Sequence, residues 1–151
     1  MYDIVITEWE AIGRLLIALG LGLAIGIERT QAGGQAGLRT YGLVALGSAS
    51  FVVISTLVTQ QYSGATNFDP LRVAAQIVVG VGFLGAGVMY TNREGTHGLT
   101  TAAGMWVAAA IGMAVGFGFY SAAIATTLLV IFTFGTLQRV EDRYLRYKKD
   151  N

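Results

Sequence analysis

Residues 73–92, VAAQIVVGVGFLGAGVMYTN, run from Arg72 to Arg93 without a formal charge. About 20 predominantly apolar residues are what a helix needs to cross the hydrocarbon core of a bilayer. The stretch predicts a transmembrane helix over Val73–Tyr90. Gly80-Val-Gly-Phe-Leu-Gly85 inside it matches GxGxxG. A dinucleotide fingerprint needs a strand before that pattern and a helix opening after it, so inside a membrane helix it implies no nucleotide.

The remainder of the chain follows from this span. Of its 151 residues 54% are apolar and 13% charged, whereas a soluble domain is about a quarter charged. Mean hydropathy is +0.58. Such a surface could not hold the chain in water, and the apolar content excludes disorder. With no Cys and one His, disulfide scaffolds and multi-ligand zinc or haem chemistry have no basis. No cofactor is expected, and no nucleic-acid partner.

Four more uncharged tracts predict spans over Ala11–Ile27, Tyr41–Val58, Leu99–Val115 and Phe119–Thr136. No formal charge lies between Glu94 and Arg139. That stretch is too long for one span, and Gly116, Gly118 and Ser121 offer the turn. Arg14 falls inside the first span, where a long side chain near a helix end can snorkel to the interface. The expected class is an all-α polytopic bundle of five helices. Its membrane domain is residues 1–136, followed by a short basic tail, 137–151.

Lys and Arg set the orientation. With the N-terminus outside, inner loops hold Arg29, Arg39 and Arg93, and the tail holds Arg139, Arg143, Arg146, Lys148 and Lys149. Only Arg14 and Arg72 remain outside. The tail cations anchor the last span, or touch anionic lipid at about 1 kcal/mol each. Trp9, Tyr41, Tyr62, Tyr90, Tyr120, Tyr144 and Tyr147 fall near span ends, as interfacial aromatics do. Trp106 is the exception, expected to be buried within the fourth span.

Lipid gives helices no hydrophobic drive to associate, so small residues must let them approach. Gly22-xxx-Gly26, Gly82-xxx-Ala86 and Ala108-xxx-Gly112-xxx-Gly116 are such ridges. They predict a tight bundle and a homodimer face. Shifting the chain by 61 residues places Leu23, Gly26, Thr30, Gly34, Gly37, Leu38 and Thr40 on Leu84, Gly87, Thr91, Gly95, Gly98, Leu99 and Thr101. Two parallel helical hairpins and a fifth helix follow. The copies differ in charge: Glu28, Arg29 and Arg39 align with Met89, Tyr90 and Thr100. The second loop has Arg93, Glu94 and His97. An asymmetric site at the inner mouth and a simple interfacial anchor both account for the trio.

At these residues the sequence resembles a known family. Gly26-Ile-Glu-Arg29, Ala36-Gly-Leu-Arg-Thr40, Arg72-Val-Ala-Ala-Gln76, Gly82-Phe-Leu-Gly-Ala-Gly87 and Gly98-Leu-Thr-Thr-Ala-Ala103 look like MgtC/SapB inner-membrane proteins of bacteria, from about Arg14 to Gly116. The resemblance implies an inner-membrane location and a role in adaptation to low magnesium. That role is Mg²⁺ or other cation transport, or action on a partner membrane protein such as the F-type ATP synthase. It puts the family's charged positions on Glu28, Arg29, Arg39 and Arg72, with Gln76 beside them. Thr100 stands where many relatives have Asn, and the best-known members carry a further soluble domain.

A Mg²⁺ path should show carboxylates or rings of carbonyls. No acid lies in the central part of any span; Glu28 is nearest, beside Arg29, and Asp69 lies by Arg72. No nucleophile–base set or metal motif is visible, His97 with Glu94 being the nearest, so an enzyme is not expected. The expected site is Glu28 with Arg29 and Arg39 orienting it and Thr100 as a polar contact. Arg72 and Gln76 steady the outer end of the third span.

Overall fold

The computed structural model describes residues 6–62, 69–93, 95–137 and 140. Five helices follow in order: α1 Glu8–Gln31, α2 Leu38–Gln61, α3 Pro70–Val88, α4 Leu99–Gly116 and α5 Tyr120–Phe132. A π-helical segment, Thr133–Leu137, extends α5. By length and hydropathy all five can cross a membrane, the last counted over Tyr120–Leu137. The chain is an all-α polytopic membrane bundle. Most of the expected tail lies outside the described residues.

Local chemistry sets the helix ends. Thr7 caps α1 by accepting the Glu10 N–H at 3.2 Å. Glu8 and Glu10 in the first turn favour the positive end of the helix dipole. Asp69 caps α3, with Pro70 in its first turn. The second helix starts at Gly37, which has no capping side chain of its own. Its cap comes from α1: the Thr30 hydroxyl donates to Gly26 O at 2.8 Å and accepts the Leu38 N–H at 3.1 Å. At the other end of that hairpin the Gln60 side chain pairs with both backbone groups of Ile6.

The expected third span overruns by two residues. Met89 caps α3 and Tyr90 opens a two-stranded antiparallel hairpin, β1 Tyr90–Asn92 and β2 Gly95–His97. Tyr90 and His97 stack across it at 5.0 Å, and His97 Nε2 lies 3.1 Å from Asn92 Oδ1. The 61-residue register survives at the helix starts, since Leu38 and Leu99 both open a helix and Gly37 and Gly98 both cap one. Before that point the copies part. Thr30 is still helical and bridges to α2, whereas Thr91 is in a strand and pairs with Thr96.

The fourth helix, α4, touches each of the other four, and α1, α2 and α4 pack mutually. Small residues let them. A Cβ on Gly22 would stand 2.7 Å from Tyr41 O, and one on Gly26 2.6 Å from Leu38 Cα. A Cβ on Gly112 would strike the Ala45 carbonyl, and one on Gly116 the Val52 side chain. These four glycines face α2 within one chain. Gly82 does not: it has open space around it, and Gly85 is the α3 glycine set against Ala102 of α4. The third helix buries only a narrow strip that includes Ile77 and Val81.

Three side chains depart from expectation. Arg14 does not snorkel outward but turns into the bundle, 4% exposed. Tyr41, expected at the interface, is fully buried. Trp106 points off the bundle at half exposure, the orientation of a lipid-facing side chain.

Candidate functional site

The last turn of α1 carries Glu28 and Arg29. The Arg29 side chain is buried yet charged, and in a bilayer such a group must find partners. Its Nε donates to Glu28 Oε2 at 2.5 Å and its Nη2 to Glu28 Oε1 at 2.7 Å. This is a two-pronged, charge-assisted fork that occupies both carboxylate oxygens. The guanidinium carbon also lies 4.0 Å from the centre of the Phe134 ring, a cation–π contact with the π-helical turn after α5.

Phe134 and Tyr41 meet above Gly104 of α4. A Cβ there would lie 2.5 Å from the Tyr41 hydroxyl and 2.8 Å from Phe134 Cζ. The Tyr41 hydroxyl donates to Thr101 O at 3.4 Å. The Phe134 ring thus covers the Arg29 end of a largely buried ionic pair, with Tyr41 beside Phe134 over Gly104, and the site draws on α1, α2, α4 and the extension of α5.

The expected residues distribute unevenly over this geometry. Glu28 and Arg29 are joined. Arg39 begins α2 at the same end of the bundle, but its side chain is exposed and makes no hydrogen bond or ion pair among the described residues. Thr100 is also at this end and exposed; its neighbour Thr101 is the buried one. Arg72 and Gln76 lie toward the opposite end of the bundle, exposed on α3. Tyr41, Gly104 and Phe134 are additional. Gly104 was legible as one more step of the Ala108-xxx-Gly112-xxx-Gly116 ridge. Phe134 gave no signal, because an aromatic in an apolar run has no visible partner.

A second ionic cluster sits at the opposite end of α1. Arg14 Nη2 bonds Glu10 Oε1 at 2.6 Å, and Nη1 donates to Gly116 O at 2.7 Å. A cation on the last carbonyls of α4 satisfies the negative end of that helix. The following turn needs Gly118, whose φ of 84° is left-handed. Between the two clusters the buried face of α1 is Ala18, Gly22, Ile25 and Gly26, without a polar side chain. No group of three or more His, Cys, Asp or Glu able to hold a metal occurs among the described residues.

Comparison with known proteins places the chain in a family. The MgtC family model matches residues 15–143. The "Putative magnesium transporter YhiD" of Escherichia coli K12 is 44% identical over 136 residues, covering 85% of this chain and 62% of the relative. Protein MgtC of Brucella abortus is 48% identical over 111 residues, covering 74% of this chain and 44% of the relative. An uncharacterised protein of Synechocystis is 43% identical over 127 residues, 82% of this chain and 51% of that one. No solved structure matches. Five membrane-length helices and this match define a polytopic membrane protein, and the chain belongs to the MgtC family. It spans 44% to 62% of the length of these curated relatives.

Proposed function

We propose that this chain acts in magnesium-linked ion homeostasis as a regulatory membrane protein that engages another membrane complex, and not as a Mg²⁺ pore through its own bundle. One observation carries the reading: both oxygens of Glu28, the acid in the last turn of α1, are taken by Arg29. Mg²⁺ demands near-octahedral oxygen ligation and gives up water reluctantly. An arginine-clamped carboxylate with a second arginine nearby in sequence is a poor ligand for it. The close approach of α1 to α2 at Gly22 and Gly26 supports the same view, since it leaves no width for a hydrated ion there. Magnesium enters through the relative named a magnesium transporter.

The reading places the N-terminus outside and the Glu28 end at the cytoplasmic face of the bacterial inner membrane, following the Lys and Arg distribution. It also includes a homodimer. Gln76 supports that part: it is exposed within α3, its amide makes no hydrogen bond among the described residues, and an amide on a second copy can both donate and accept.

Purified protein in liposomes loaded with a Mg²⁺ indicator tests the main point. No flux above protein-free vesicles, together with recovery of a second membrane protein after crosslinking in native membranes, is the expected result. Flux that disappears in Glu28→Gln would overturn the proposal and establish the transport reading in its place.

A further inference from the structure

The Phe134 ring stands between two places. On one side is Arg29, whose guanidinium carbon lies 4.0 Å from the ring centre. On the other is a cleft of about 280 Å³ between α4 and the α5 extension, which Phe134 lines together with Ala103, Gly104, Val107, Thr126 and Val130. An apolar cavity of about 150 Å³ is enough to hold a benzene ring, so the cleft has room for the ring that borders it. Gly104 belongs to both places: it lines the cleft, and a Cβ on it would stand 2.8 Å from Phe134 Cζ.

The backbone under the ring is built to move. Phe134 is the second residue of the π-helical turn Thr133–Leu137. Such turns are rare, single-turn departures from the α repeat and concentrate at functional sites. Gly135 follows at once, with nothing within 4 Å of where its Cβ would be, and glycine accepts backbone angles that other residues resist. The span that ends in this turn, Tyr120–Leu137, has the smallest buried share of the five, 11%. Tyr41, the other ring over Gly104, is its opposite: fully buried on α2 and hydrogen-bonded to Thr101 O. One aromatic is fixed, and its neighbour stands on a hinge.

We propose that Phe134 is a two-position lid: over Arg29 it shuts the Glu28–Arg29 pair, and in the α4–α5 cleft it uncovers that pair. A cation–π contact is a weaker latch than the two-pronged fork between Arg29 and Glu28. The ring therefore lifts without breaking the ion pair. Each seat holds it by a different force, the guanidinium charge at one and dispersion contact with the apolar wall at the other. Uncovered, the pair is open to a charged group of a partner complex. That use rests on the regulatory reading; the two positions of the ring do not.

The test is fluorine NMR of the full chain in phospholipid nanodiscs, with para-fluorophenylalanine at position 134 alone. Two resonances are expected, or one that shows relaxation dispersion on the microsecond-to-millisecond scale. Glu28→Gln with Arg29→Met removes the charge from one seat and should shift the proportions several-fold toward the cleft. Ala103→Leu with Val107→Leu fills the cleft and should leave a single sharp resonance. One resonance without dispersion in the wild type overturns the proposal. Two states whose proportions stay the same in either of these variants overturn it as well. If the cleft-filled variant does not fold, Thr126→Leu fills the cleft from α5 and is read identically. Neither Mg²⁺ flux nor capture of a partner enters these readouts, so a failed lid leaves the regulatory reading standing, and a failed regulatory reading leaves the lid.

Discussion

Arg14 and Arg29 occupy the same buried stripe of α1, with Ala11, Ala18, Gly22, Ile25 and Gly26. Each is neutralised by a glutamate on its own helix and fastened to a later part of the chain: Gly116 O for Arg14, the Phe134 ring for Arg29. Removing one member of a buried pair leaves the other charge without compensation, at about 3–5 kcal/mol. Arg29→Met alone is therefore expected to lower thermal stability sharply. The double variant Glu28→Gln with Arg29→Met should recover part of the loss, as a double-mutant cycle in detergent would show. Additive losses would mean that the fork contributes nothing to folding. Arg14→Met loses a charge-assisted bond to a helix end, at about 1.5–3 kcal/mol, and protease access to the Phe117–Phe119 turn should rise with it. The sequence displayed both arginines but not their direction. Length and position alone fit a snorkelling Arg14 equally well, and only the Gly116 carbonyl, 102 residues away, decides otherwise.

At the scale of elements, glycines separate into those that touch and those that do not. Gly22→Ala and Gly26→Ala drive a methyl into the α2 backbone, and overpacking of this kind costs about 1–3 kcal/mol. Gly13 and Gly20 have nothing within 4 Å, and Gly→Ala in an open helix interior gains about 0.5–1 kcal/mol. Melting temperatures of the four variants should split into two falls and two rises or null shifts. The five spans were legible because charge is confined to their ends. The register of the second hairpin was also legible, through Gly37–Leu38 and Gly98–Leu99. The β1–β2 hairpin was not, because Thr91, Asn92 and Thr96 carry no apolar alternation and read as loop. Tyr41 was misplaced for a related reason. Aromatics at helix ends are usually interfacial, and its burial depends on the space left by Gly104 on another helix.

For the whole molecule, α3 is the helix that carries an exposed amide and an exposed arginine on its outer surface. Gln76 lies within the helix, and Arg72 near its start, both on exposed positions. Gln76→Leu should shift the detergent-solubilised protein toward monomer in mass photometry, while Gln60→Leu, at the α2 end, should leave its mass unchanged. Equal mass for wild type and Gln76→Leu would remove α3 as the contact. The proposed site itself was legible only in part. Glu28 and Arg29 stood out because they differ from their repeat partners Met89 and Tyr90. Arg39 and Thr100 share their end of the bundle without joining them, because the first turns of α2 and α4 point those side chains outward.

The backbone-to-backbone fit at Gly22, Gly26 and Gly112 has a mechanical outcome. Surfaces in such contact can neither slide by a helical turn nor roll without side chains striking main chain, so α1, α2 and α4 behave as one stiff block. The outer helices α3 and α5, which bury less of their surface, are the ones that could shift without striking that block.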